Sequence, residues 1–264
     1  MIPKDLRLSD VIFAGRTAAF AAYGLGTIAR YEVESRGKTP QQCEEILTVT
    51  MERFGRHMGA TFGLDVKTAG KDPVRRLAAK DDRGMGRVFV MNHRSSLDIL
   101  VSLAHIEGKL VSRADLAGWP IVGPLARKSG ILFVEREDRR SAANVVALMM
   151  KRVEQGIGII IFPEGTTYAG DEVRPFKPGA FAVARRTGCE LVPLGIAYGG
   201  SSTSFGDESF LEHMRRVAGA RKTQIGLAVG EPTRPVKGED SAALATRLHA
   251  SVQELVHKAR SLVP

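Results

Sequence analysis

The stretches "GRVFVMNH", "ILFVER", "IGIIIF" and "ELVPLGIAY" are apolar at nearly every position, a pattern that leaves little choice of fold. A strand exposed on one face alternates polar and apolar residues, whereas a strand covered on both faces reads as a continuous apolar run. Segments with helical spacing lie between these runs: "SSLDILVSLAHIEG", "LAGWPIVGPLARKSG", "SAANVVALMMKRVEQG" and "FKPGAFAVARRTG". Two further strand-like segments, "KLVSR" and "TQIGLAVG", and a final helix, "DSAALATRLHASVQELVHKAR", complete the alternation. It predicts an α/β fold with a mixed, largely parallel sheet flanked by helices.

Ahead of that pattern the chain is different in kind. Residues 11–29, "VIFAGRTAAFAAYGLGTIA", are nearly long and apolar enough to span a bilayer, but Arg16 and three glycines argue against a span. Arg16, Thr27, Arg30 and Glu34 fall close to one azimuth, which leaves a wide apolar face and a narrow polar strip. A helix lying in the membrane interface fits this pattern, and a buried core helix passes the same test of length and periodicity. Asp5 and Asp10 interrupt the basic start that a secretory signal needs. A second helix is expected from Pro40, capped by Thr39, to a stop at Gly63. Residues 1–63 are thus expected to form a two-helix membrane-associating hairpin, and 64–264 the α/β domain.

Lys and Arg outnumber Asp and Glu by 38 to 29, giving a formal charge of +9 and pointing to an anionic partner. A phospholipid surface or a phosphorylated substrate fits better than nucleic acid, since aromatic residues are only 6% and no RRM, KH or zinc-finger spacing occurs. Cys43 and Cys189 are isolated, so neither a disulfide framework nor a metal site is expected. A lipase-type G-x-S-x-G is missing, "GGSSTSFG" lacking the second glycine.

Chemistry concentrates at the strand ends. In "VFVMNHRSSLDIL" the strand delivers His93 to the sheet edge, Ser95 or Ser96 is placed to cap the next helix, and Asp98 falls in its first turn. A carboxylate there can take the imidazole Nδ1 proton and leave Nε2 as a base toward a substrate hydroxyl. Six histidines make one such spacing about a one-in-four chance event, so it needs support from elsewhere. In "FPEGTTYAG", Pro163 and Gly165 break the strand and hold Glu164 at its end. "GILFVEREDRR" places Arg136 just beyond a strand, with Arg139 and Arg140 behind it, suited to phosphate. "PFKPGAF" sets Lys177 and the amides of Gly179 and Ala180 before a helix.

Taken in order, Asn92-His93 with Asp98, then Gly130, Phe133 and Arg136, then Phe162-Pro163-Glu164-Gly165-Thr166, then Val192-Pro193-Leu194-Gly195-Ile196, resemble the four glycerolipid acyltransferase blocks. The chain is similar, over roughly residues 85–200, to the 1-acylglycerol-3-phosphate O-acyltransferase (lysophosphatidic acid acyltransferase) family. That resemblance implies transfer of a fatty acyl group from acyl-CoA or acyl carrier protein to the sn-2 hydroxyl of a lysolipid, giving phosphatidic acid. It implies His93 as general base and Asp98 as its orienting partner, with Arg136, Glu164, Gly165, Thr166, Lys177 and Arg113 at the acceptor. No metal, cofactor or acyl-enzyme is implied, and the N-terminal helical pair is expected to seat the enzyme on anionic lipid at the cytoplasmic face of the inner membrane. Two positions depart from the pattern: Thr167 stands where Arg or Ser is frequent, and Arg113 where Lys is, with Lys109 nearby. Arg174 or Lys177 can supply the lost cation. "EGTT" and "FGDESFLEHM" also resemble the branch that acylates lyso-ornithine lipids, whose head group has no phosphate.

Overall fold

Period-two alternation sorts the strand side chains of this protein into two cores, one on each face of a single sheet. The computed structural model describes residues 7–70, 72, 75–119, 122–135, 138–200 and 208–264. Helices α1 (Leu8–Glu34) and α2 (Pro40–Thr61) come first, then β1 (Leu64–Ala69), β2 (Val88–Met91), α3 (Asp98–His105) and β3 (Lys109–Arg113). They are followed by α4 (Val122–Lys128), β4 (Leu132–Val134), α5 (Arg139–Glu154), β5 (Ile159–Ile161), α6 (Ala182–Thr187) and β6 (Leu191–Tyr198). The chain closes with α7 (Phe210–Gly219), β7 (Thr223–Val229) and α8 (Ser241–Arg260).

The strands are ordered β1-β7-β6-β2-β5-β3-β4. All neighbours are parallel except β6 and β7, so the mixed, largely parallel sheet is present, with β1 and β7 running against the other five. Phe89 and Met91 of β2, Ile160 of β5, and Leu194 and Ile196 of β6 pack on the side of α2, α3 and α7. Val88, Val90, Ile159 and Ile161 pack on the side of α5, α6 and α8. Because α3 and α6 lie on opposite faces, the chain leaves β2 and β5 toward opposite sides, and the carboxyl ends of strands at such a switch point are where α/β sheets bind ligands.

Helix α2 belongs to the first of these cores. Its N-terminus has the expected Thr39 cap, completed as a capping box by Gln42: Thr39 Oγ1 accepts from Gln42 N at 3.3 Å and Thr39 N donates to Gln42 Oε1 at 3.0 Å. Leu47, Met51, Phe54 and Met58 form one buried stripe. Gly55 lets α2 approach α3 closely, since a Cβ there would stand 2.6 Å from the Ala104 amide nitrogen. At the far edge Lys109, 7% exposed, reaches Glu44 Oε1 at 2.6 Å, and burial pushes its pKa down while Glu44 opposes that shift.

Helix α1 is long and apolar enough to cross a membrane by length and composition. Part of its polar strip is turned toward the protein. Arg16 donates to the carbonyls of Thr61 (2.8 Å), Ala218 (2.8 Å), Ala220 and Arg221, closing the C-terminal ends of α2 and α7, and Thr27 is buried. Phe20 packs edge-on against Phe54 with ring centroids 5.6 Å apart. The outward stripe of Leu8, Val11, Gly15, Ala18, Ala22, Leu25, Ala29 and Val33 carries no charge and is exposed throughout.

Candidate active site

Strand β2 ends at Met91, and Asn92 extends its ladder with a side chain: Asn92 Nδ2 donates to Ile196 O at 3.0 Å while Ile196 N donates to Asn92 Oδ1 at 2.8 Å. This bidentate pair ties the first sequence block to the fourth and fixes where the next residue emerges. His93 then leaves the sheet with its ring stacked on Phe162, centroids 4.2 Å apart at 23°. Its Nδ1 lies 2.7 Å from Asp98 Oδ2.

Asp98 is fully buried, and the same oxygen accepts the backbone N–H groups of Arg94 (2.7 Å) and Ser95 (3.0 Å). Three donors thus converge on one carboxylate oxygen, which orients the histidine so that Nδ1 carries the proton. The His93 side chain is 16% exposed, and Nε2 makes no hydrogen bond among the described residues. Neither serine caps α3 as expected. The N-cap position is Leu97; Ser95 Oγ accepts from Leu97 N at 3.3 Å and meets His213 Nε2 at 3.2 Å, and Ser96 Oγ contacts Met214 Sδ at 2.9 Å. The Asp98 carboxylate covers the turn's N–H groups in their place.

Glu164 is 3% exposed, and its carboxylate is engaged inside the protein. Oε1 accepts from His93 N (2.7 Å) and Arg94 Nη1 (3.0 Å), and Oε2 from the same Nη1 (3.1 Å) and Arg174 N (2.9 Å). Arg94, 2% exposed, also donates to the carbonyls of His93 (2.9 Å) and Glu172 (2.9 Å). A buried ion pair therefore braces the histidine backbone from behind, which places Glu164 beneath the base and away from solvent.

Gly165 adopts φ +83°, and a Cβ there would lie 2.6 Å from Lys177 Nζ, so the ammonium rests directly over this turn. Thr166 and Lys177 are exposed. Arg174 sits over the Tyr168 ring at 5.6 Å. Arg113 reaches the same edge at the end of β3 but pairs with Asp115 at 2.9 Å. With β5 between β2 and β3, it stands about 10 Å from the His93 column. Arg136 lies outside the described residues. Asp81, Asp82 and Glu190 converge elsewhere, but Arg234 Nη2 reaches all three at 3.0, 2.6 and 3.2 Å, so they form a salt-bridge network.

The family model described as Acyltransferase matches residues 65–197, half of the chain and all of the strands that build this site. The chain belongs to that family. Among its acyltransferase relatives, the lyso-ornithine lipid O-acyltransferase of Pseudomonas aeruginosa is 27% identical over 94% of this chain and 93% of its own length. A chloroplastic 1-acyl-sn-glycerol-3-phosphate acyltransferase of Brassica napus is 33% identical over 48% of this chain and 37% of its own. In fold, the chain is similar to the crystal structure of the 1-acyl-sn-glycerophosphate acyltransferase PlsC from Thermotoga maritima, with TM-score 0.71, 20% identity and coverage of 96% and 95%.

Around the acyltransferase site, sequence reasoning missed the supports. Arg94 is adjacent to His93 in the chain, and its burial shows only once Glu164 is placed. Helix α8 holds the loop after Glu164: Gln253 Oε1 accepts from Val173 N (2.7 Å), His249 Nε2 donates to Val173 O (2.9 Å), and Arg260 grips Asp171 at 2.7 and 2.8 Å. These three side chains follow one face of α8, a polar spine that helical periodicity within "RLHASVQELVHKAR" can reveal.

Proposed function

We propose that this acyltransferase moves a fatty acyl group from the thioester of acyl-CoA or acyl carrier protein to the sn-2 hydroxyl of 1-acyl-sn-glycerol-3-phosphate, giving phosphatidic acid. The observation that carries the reading is the 2.7 Å contact of His93 Nδ1 with a buried Asp98, on a partly exposed ring whose Nε2 makes no hydrogen bond among the described residues. Nε2 takes the proton of the acceptor hydroxyl as its oxygen attacks the thioester carbonyl. The C–S bond then breaks, and the departing thiolate takes that proton from the imidazolium. Asp98 stabilises the imidazolium between the two transfers. Lys177, Arg174 and Arg136 supply cations for the acceptor phosphate, with Thr166 and the Gly165 turn beside them. Arg113 serves the outer part of the same edge. The protein is placed as peripheral or monotopic at the cytoplasmic face of the inner membrane; the uncharged outward face of α1 supports the membrane seating, and the formal charge of +9 suits anionic lipid.

A second acceptor is favoured by one specific finding, the end-to-end match to a lyso-ornithine lipid O-acyltransferase. Purified protein supplied with labelled palmitoyl-CoA and either lysophosphatidic acid or lyso-ornithine lipid separates the two. Labelled phosphatidic acid supports the first reading, ornithine lipid alone moves the assignment to the second, and no transfer to either at saturating donor contradicts both.

A further inference from the structure

We propose that Tyr198, the last residue of β6, is a positioning residue of the reaction: its hydroxyl fixes the free oxygen of the Asp98 carboxylate and so sets how the Asp98–His93 pair responds to a proton. This rests on the assignment of His93 as the base and adds a member that the sequence blocks do not contain.

Asp98 Oδ2 serves His93 and two backbone amides, whereas Oδ1 accepts from Tyr198 Oη at 2.5 Å. A carboxylate held at one oxygen only can swing about its Cβ–Cγ bond. Held at both, it keeps Oδ2 aimed at Nδ1. Tyr198 is itself immobilised. Its side chain is 3% exposed, its carbonyl accepts from Arg260 Nη1, and its strand is locked to β2 by Asn92 two residues earlier. Ile196 and Tyr198 share the sheet face on which α3 begins, which delivers the hydroxyl to Asp98. Burial, with Asp98 adding to it, pushes the phenol pKa well above its usual value, so the group remains a neutral donor at any working pH.

The charged and titratable groups facing this cluster are Arg94 from the turn after β2, Glu164 from the end of β5, and His213 with Glu208 beside α7. Asp171 and Arg260 lie behind the Tyr198 carbonyl. Asp98 Oδ1 accepts its hydrogen bond from Tyr198. A hydrogen bond to Oδ1 withdraws charge from the carboxylate and lowers its hold on an imidazolium. Its loss therefore strengthens the hold of Asp98 on the imidazolium, and because the neutral imidazole is the base, the acid limb of kcat/KM is expected at higher pH in the variant.

The test uses the full-length Tyr198→Phe protein, with folding checked by thermal melting and with His93→Ala alongside. Expected are a fall in kcat of roughly ten-fold, unchanged KM for donor and acceptor, and an upward shift of the acid limb. In the Asp98→Asn background Tyr198→Phe should add nothing further, since its partner charge is gone. A Tyr198→Phe protein with wild-type kcat and an unmoved limb overturns the proposal, as does a full additional loss in the Asp98→Asn background. If His93→Ala retains activity, the base assignment fails instead, whatever Tyr198→Phe does.

Discussion

In the turn formed by residues 93–98 the side chains are held before any substrate arrives. Asp98 accepts four hydrogen bonds, and Glu164 accepts from His93, Arg94 and Arg174. Along the rim a few residues away, Thr166, Lys177 and Arg174 are exposed, and the Arg174 guanidinium rests over the Tyr168 ring with a loose 3.6 Å contact to Glu172. The contrast separates two tasks. A proton transfer needs its base within a few tenths of an ångström of the right place, and a buried, hydrogen-bonded shell provides that. Recognition of a head group can be left to long side chains that close around whichever anion arrives.

Experiments on the turn break this contrast most forcefully. His93→Ala is expected to cut turnover by about two to four orders of magnitude with every acceptor, measured by product formation at saturating substrates. A loss confined to one acceptor would mean that His93 belongs to recognition. Arg94→Met leaves Glu164 charged and buried without its guanidinium. Breaking such a pair costs about 3 to 5 kcal/mol, which a urea or thermal unfolding midpoint reads directly. An unchanged midpoint would remove Arg94 and Glu164 from the supporting shell.

On the rim the expected effects are smaller and selective. Lys177→Ala should raise the acceptor KM for lysophosphatidic acid about three- to ten-fold, modest because the ammonium is exposed, and leave kcat alone. The same KM change with lyso-ornithine lipid would show that Lys177 does not read phosphate.

The smallest effect concerns His213, which burial pushes below its usual pKa while Glu208 opposes the shift. The unfolded chain takes up a proton at this residue below about pH 6.5, where the folded protein does not. Its contribution to stability is therefore full above that pH and is lost as pH falls toward the depressed folded value. His213→Gln should flatten the decline of melting temperature between about pH 7 and 5. Parallel curves for the two proteins would contradict the shift.

The same division explains what could be read from the chain alone. Four runs apolar at nearly every position marked β2, β4, β5 and β6, and Thr39 with Pro40 marked the start of α2, because these signals are local. The half-buried edge strand β1, "LDVKTA", alternates weakly and was not anticipated. The direction in which Arg16 points was hidden because its carbonyl partners at Ala218 and Ala220 lie more than two hundred residues downstream. In the same way His93 and Asp98 were legible five residues apart, but Tyr198 reaches Asp98 across a hundred positions and only the sheet order brings it there.

The most direct test of the central claim, that His93 held by Asp98 is the base, is a single-turnover measurement. The folded wild-type and Asp98→Asn proteins are mixed with labelled acyl-CoA and excess lysolipid. The expected result is a chemical step slowed by a factor on the order of 10³ or more in Asp98→Asn with acceptor binding intact, as expected when the imidazole loses its fixed tautomer. A chemical step of wild-type speed would contradict the account.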